Sequence, residues 1–323
     1  NKNNKNNENN TSKIVKYCFY LTNEIVINNK IKKIPYYSNY FSVIKKCDFV
    51  NINCINEKVF EKIENNNKYL LLTYNKKFTN LNNFLFELKE PKYLVFQAIS
   101  TFSYILNSLI LLQEKNICFF QLSSENIIFE KNFREKPLLS NFECSIDNSK
   151  LNEEYITKII KKTKDYSLKP LEIHILFYLI ENDMVTVSYS FIEEVTEFFI
   201  QNLNVSIFPK EYIDNYKTLC ISYFKKYINK PRKDIVSDIL NYNKKWDVYG
   251  VCLLYLNIFT DVCRVFSLKN TFLNKIVIEL LKTLHPDPSK RLGIKEWNEI
   301  YQELLDTEKD WSFVDSMEKK RSV

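Results

Sequence analysis

Five short strings in this chain hold the residue types that chemistry needs. Residues 119–129 read FFQLSSENIIF, with Gln121, Glu125 and Asn126 between two apolar runs. Asn141-Phe142-Glu143 follows about a dozen residues later, then Pro170-Leu171-Glu172, Trp246-Asp247-Val248-Tyr249-Gly250 and Pro288-Ser289-Lys290-Arg291-Leu292. Gln121 is a neutral amide and cannot accept a proton usefully near neutral pH. Asn126 and Asn141 each offer one neutral carbonyl oxygen, a weak ligand for a hard cation, which prefers carboxylates. Glu143 supplies a carboxylate next to Asn141. Taken singly, Asp247 reads as a favourable charge at a helix N-terminus, and Glu172 and Arg291 read as surface residues.

The composition removes several function classes. Gly250 and Gly293 are the only glycines among 323 residues. Loops that cradle phosphate need several glycines for positive φ or close backbone approach, so the Walker A loop, the dinucleotide fingerprint and the glycine-rich kinase loop are excluded. Eight cysteines form no C-x-x-C pair, and His174 and His285, the only histidines, sit near no cysteine pair. Zinc and a disulfide framework are therefore not expected, and reduced thiols in a cytoplasmic setting are. The formal net charge is +7 and scattered, which reads as a solvated surface rather than a nucleic-acid face. No uncharged apolar run approaches ~18 residues, so no membrane span is expected.

The elements that must position these residues change character along the chain. At about 100–200 residues per domain the length allows two domains or lobes. Residues 1–12 read as a polar tail unable to bury enough to order itself. Residues 13–74 read as short strands and turns, with KIVKYCFYL and NEIVINNKI rich in β-branched and aromatic residues. CINEKVFEKIENNN has room for one short helix, and KYLLLTY reads as a buried strand. Helical spacing then takes over, with segments near 80–88, 92–114, 173–182, 190–204, 211–228, 246–259, 271–284 and 294–305. Strands first and helices afterwards predict an α+β protein.

In their order and spacing the five strings resemble the large lobe of eukaryotic-type protein kinases. Leu122 and Asn126 stand where that family's catalytic loop, H-R-D-L-x-x-x-N, has its Leu and metal-binding Asn, and Asn141-Phe142-Glu143 stands at D-F-G. Pro170-Leu171-Glu172 looks like a variant of A-P-E, Asp247 like the start of the central helix, and Arg291 like the Arg that pairs with the A-P-E glutamate. The style is closest to the Ser/Thr kinases of large DNA viruses. The resemblance implies a two-lobed fold, with a reduced β-rich lobe over 13–74, a helical lobe over 75–306 and a tail over 307–323. It implies an Asp247 that fixes the catalytic-loop backbone and a partly buried Glu172–Arg291 pair.

Against that family, the residues that handle protons and metal are replaced. Gln121 takes the place of the catalytic Asp, Asn141 that of the metal-binding Asp and Glu143 that of the D-F-G Gly. Phe119 and Phe120 replace His and Arg, so Phe120 cannot pair with a phosphate on the activation segment. Ser123 replaces the loop Lys. Among Lys13, Lys16, Lys30, Lys32 and Lys33 no phosphate-pairing Lys is singled out, and Glu57 and Glu61 are candidate helix-C glutamates by position. Glu172 and Asp247 are 75 positions apart, where ordinary kinases have a short loop. This insert, about 173–245, is expected to be helical and ends in the basic NKPRKD. The expected protein is a catalytically inactive pseudokinase that binds a protein partner, an active kinase or another viral or host protein, with no nucleic acid and no membrane. ATP with Mg²⁺ is a weak possibility through Asn126 and Asn141. The alternatives are an atypical active Ser/Thr kinase using Glu143 or Glu125, or a structural virion component.

Overall fold

The computed structural model describes residues 10–50, 68–130, 133–163, 165–203, 208–266 and 272–307. In chain order the strands and helices begin with β1 (Asn10–Lys16), α1 (Phe19–Ile31), β2 (Phe41–Ser42), β3 (Lys46–Val50), β4 (Tyr69–Asn75) and β5 (Lys77–Asn80). Then come α2 (Leu81–Glu87), α3 (Pro91–Glu114), β6 (Ile117–Cys118), β7 (Ile127–Glu130), β8 (Phe133–Ser140) and β9 (Ile146–Asp147). The rest is helical: α4 (Glu153–Lys162), α5 (Leu171–Glu181), α6 (Tyr189–Asn202), α7 (Lys210–Phe224), α8 (Arg232–Leu240), α9 (Trp246–Phe266), α10 (Phe272–Lys282) and α11 (Ile294–Thr307). The class is α+β. The expected short helix over CINEKVFEKIENNN, with Glu57 and Glu61, lies outside the described residues, as do most of the two tails.

Three small sheets carry the strands. β1, β4 and β3 form an antiparallel sheet with β4 in the middle, its register pairing Lys13 with Leu72 and Cys47 with Leu72 from the other side. The order β2-β8-β7-β5 makes a second sheet, and β6 pairs with β9. The first sheet has a core of its own, Leu21, Ile44, Leu70 and Leu72, apart from the large apolar core of the helical body.

The strand reading of NEIVINNKI is corrected: residues 19–31 form α1. Its buried positions, Leu21, Asn23, Glu24, Ile27, Asn28 and Ile31, recur at helical spacing, but three of the six are polar and hide the apolar stripe. They are tolerated because each has partners. Asn28 accepts from the Ile44 N–H at 2.7 Å and donates to Glu24 O at 2.7 Å. Asn23 donates to the Glu143 and Ser145 carbonyls at 3.0 and 2.8 Å. Burial with satisfied hydrogen bonds outweighs the β-branched propensity of Ile25, Val26 and Ile27.

α3 is the central helix of the body. Pro91 opens it without wasting an N–H, and Phe102 sits edge-on to Phe259, Trp297 and Tyr301, linking α3 to α9 and α11. Aromatic pairs of this kind add about 0.5–1.5 kcal/mol each beyond their area. α3 also corrects the premise that no uncharged apolar run approaches ~18 residues: by length and composition it could cross a bilayer. Twelve of its residues are buried inside the protein.

Candidate functional site

The loop Phe119–Asn126 joins β6 to β7 and is held from below by α9. A turn over Asn243–Lys245 sets up α9 so that Asp247 falls in its first turn. The Asp247 carboxylate accepts from the Phe119 N–H at 2.7 Å and the Phe120 N–H at 2.9 Å. Burial pushes the Asp247 carboxyl up from its ordinary range, against the pull of these two N–H donors. Phe120 adopts φ 59°, a left-handed conformation that costs a non-glycine residue about 1–2 kcal/mol. It persists because the surrounding contacts over-determine it.

Three residues with neutral amide side chains line the upper side of the loop: Asn126 bonds to the backbone carbonyl of Gln121 and to the side chain of Asn141, while the Gln121 side chain bonds to the Cys144 N–H. Asn126 Nδ2 donates to Gln121 O at 2.7 Å, and Asn141 Nδ2 donates to Asn126 Oδ1 at 3.3 Å. Gln121 Oε1 accepts from the Cys144 N–H at 3.2 Å, and the Ser140 hydroxyl donates to Asn126 O at 3.2 Å. The structure thus brings Gln121, Asn126 and Asn141 together. Asn141 has φ 64°, which Asn tolerates better than most residues because its short polar side chain bonds locally. The side-chain oxygens of Gln121 and Asn126 each already accept a hydrogen bond, and none of the three is a carboxylate. This donor set does not fit Mg²⁺.

Above the amides lies a cleft of about 370 Å³, lined by Lys13, Glu24, Tyr74, Lys77, Asn141 and Glu143 among others. α1 delivers Glu24, which is 4% exposed. Burial pushes its carboxyl above the ordinary range, Lys13 opposes the shift, and the Tyr74 hydroxyl donates to it at 3.2 Å. The same burial raises the Tyr74 phenol. Lys13 Nζ stands 5.0 Å from the Tyr74 ring centroid. Of the five candidate lysines, Lys13 is the one that lines this cleft. Lys30 is paired with Asp147 at 2.6 Å, while Lys16, Lys32 and Lys33 are exposed. Glu24 was missed from sequence because α1 was read as strand; a helical-period search over 21–31 finds it. Two lysines face two glutamates here, so the cleft carries no cationic excess for a polyphosphate. Glu125 bonds away from the amides, to Asn80 Nδ2 at 2.6 Å and Lys77 at 3.8 Å.

Glu172 and Arg291 meet through a two-pronged contact at 2.6 and 3.0 Å, with each side chain 1% exposed. Arg291 also donates to His285 O at 2.7 Å and Pro286 O at 3.2 Å, and lies over the Tyr249 ring at 4.9 Å. Burial alone would lower the guanidinium pKa; Glu172 overrides it and the net shift is upward. Five N–H donors in a planar fork make Arg suited to this place.

Three residues of this region have structural roles that the sequence did not assign to them. Lys169, 5% exposed, turns inward and donates to Phe120 O. Gly250 lets Leu168 O come close: a Cβ there would meet it at 3.1 Å and Leu122 Cδ2 at 3.4 Å. His174, 3% exposed, contacts Tyr166 O at 3.1 Å through Nε2, and burial lowers its pKa to about 4.

The segment 173–245 is built from α5, α6, α7 and α8, with a stretch at 204–207 outside the described residues. Its ties to the body include Tyr216, whose hydroxyl donates to Leu284 O at 2.7 Å, and Arg232, paired with Glu153 at 2.8 Å. No protein-family model matches the chain, and no curated protein is significantly similar to it.

Proposed function

We propose that this is a kinase-like protein that has given up phosphoryl transfer and acts by binding another protein. In this reading the β1-β4-β3 sheet with α1 is the small lobe, the helical body is the large one, and the cleft beside Lys13 and Glu24 lies between them. The observation that carries the reading is the set of neutral side chains Gln121, Asn126 and Asn141, with Asn126 bonded to the Gln121 backbone carbonyl and to the Asn141 amide, over a loop whose backbone Asp247 clamps. Phosphoryl transfer rests on charge neutralisation and positioning. Here the positioning contacts are present and the neutralising groups are amides. The rebuilt face at 173–245, where ordinary kinases have a short loop, is the candidate surface for the protein partner.

A thermal-shift titration of the full chain with ATP alone, with Mg²⁺ and with Mn²⁺ tests this, since a ligand that prefers the native state must raise the midpoint. Radiolabelled phosphate transfer to generic substrates runs beside it. The expected result is no metal-dependent rise and no turnover. A saturable Mg²⁺-dependent rise together with turnover lost in Asn141→Ala would overturn the proposal. Such a result would favour an enzyme using Glu143, which lines the same cleft.

A further inference from the structure

We infer that Lys169 is a resident lock: its ammonium, supplied by the segment before Pro170, pins that segment permanently onto the loop Phe119–Leu122 without any phosphate or ligand. Three observations carry this. Lys169 Nζ donates to Phe120 O and lies 4.6 Å from the Phe120 ring centroid, so one cation engages both the backbone and the side chain of a single residue. Asp247 takes the N–H of that same residue at 2.9 Å. Phe120 is therefore gripped at its N–H by an acid and at its carbonyl and ring by a base, which accounts for its left-handed φ of 59°. The third observation is the seat: Leu168 O, one residue away, packs against Gly250, where a Cβ would stand only 3.1 Å from it.

The chemistry favours permanence. An ammonium with 5% exposure is costly to bury unless charge and hydrogen bonds compensate it. Burial pulls the Lys169 pKa down, and Asp247 is the chief acid opposing that shift, followed by Asp165. Swinging the segment out would strip Phe120 O of its donor and take the cation off the Phe120 ring. The lock is intramolecular and covalently supplied, so no modifying enzyme is needed to close it. A charge-assisted hydrogen bond and a desolvated cation–aromatic contact act together at this point. The inference does not depend on the kinase-like reading, and phosphate turnover by the protein would leave it intact.

The test begins with the unaltered full chain. Under brief reductive methylation with formaldehyde, Lys169 stays unmodified while the exposed Lys150 and Lys161 react, as read by peptide mass spectrometry. Lys169 reacting as fast as those two would overturn the lock. Hydrogen exchange of Lys169→Met follows. Loss of a hydrogen bond to a charged group predicts exchange about tenfold faster or more at the Phe119 and Phe120 amides, with α10 amides unchanged. Wild-type rates at Phe119 and Phe120 would also overturn it. If Lys169→Met does not fold, the methylation result decides alone.

Discussion

Two regions lying a few residues apart treat charge in opposite ways. The frame beneath the loop buries Glu172, Arg291 and Lys169 almost completely, adds the half-buried Asp247, and satisfies each with directed partners. The upper side of the same loop, where a phosphate-handling site would concentrate its charge, holds three neutral amide side chains, each hydrogen-bonded locally. Buried ion pairs are costly and are weak contributors to net stability, yet removing one partner is severe. A chain that keeps the costly pairs in its frame and has only neutral groups around its loop is specified for shape.

The sharpest way to break this comparison is at Arg291. Arg291→Met leaves the Glu172 carboxylate buried with no cation, and a loss of about 3–5 kcal/mol in urea unfolding is expected. The double variant with Glu172→Met should lose clearly less than the two singles combined, because neither charge is then stranded. A loss below 1 kcal/mol for Arg291→Met would mean that the pair is not part of the frame.

A buried neutral group supplies the next largest effect. His174 sits between Tyr166 and Phe199, and its folded pKa of about 4 lies below the ordinary 6.5. Between those values the unfolded chain binds the extra proton, so stability is fully present above pH 6.5 and falls as pH drops toward 4. The shift corresponds to at most about 3 kcal/mol. Urea midpoints at pH 7 and pH 4.5 should differ more for the wild type than for His174→Gln. Equal differences in the two proteins would show that His174 does not titrate as its burial requires.

Legibility from sequence divided along the same line. The helical body could be read in advance at 92–114, 190–204 and 294–305, because apolar residues such as Phe102 and Ile105 recur on one face with little polar interruption. α1 could not, since Asn23, Glu24 and Asn28 are buried by virtue of partners far along the chain, at Glu143, Tyr74 and Ile44. Glu24 in the cleft was lost with it. Lys169 was invisible for a similar reason. Nothing in a Ser-Leu-Lys-Pro string says that the lysine turns inward, because the cause is Asp247, 78 positions later. α4 and α8 were also missed, short amphipathic helices in charged surroundings whose caps and pairs, such as Asn152 on the Tyr155 N–H at 2.9 Å, are local and weak as signals.

Gly250 gives a smaller and more local probe of the frame. A methyl group at this position must displace Leu168 O, a backbone atom that cannot rotate away, and Leu122 behind it. Its helical position offsets part of the cost, since Ala gains about 1 kcal/mol over Gly in a helix. Overpacking costs about 1–3 kcal/mol, so a net loss near 1 kcal/mol is expected for Gly250→Ala, with faster exchange at 166–170. A stabilised Gly250→Ala would show that the segment is not seated as tightly as the frame requires.

The smallest expected effect sharpens the comparison from the other side. Gln121→Asp combined with Asn141→Asp restores both carboxylates at the two positions where the resemblance to kinases expects them. Acid–base assistance alone is typically worth about 10²–10⁴ in rate, so an otherwise competent site should respond visibly. Here phosphate transfer is expected to stay at the level of a protein-free blank. Lys13 faces Glu24 and Glu143 across the cleft, leaving no cationic excess for a polyphosphate. Ser123 and Phe120 place no cation on the loop, and both glycines of the chain lie at 250 and 293, far from any phosphate-covering loop. A new aspartate at 141 would also face Asn126 Oδ1, now 3.3 Å from the Asn141 amide, and would have to turn that amide round before any cation could bind. The decisive measurement is single-turnover transfer from radiolabelled ATP with Mg²⁺, comparing the double variant with the wild type. A hundredfold gain would mean that only two side chains separate this cleft from catalysis, and the contrast between a charged frame and a neutral site would then be an accident of two positions rather than a property of the fold.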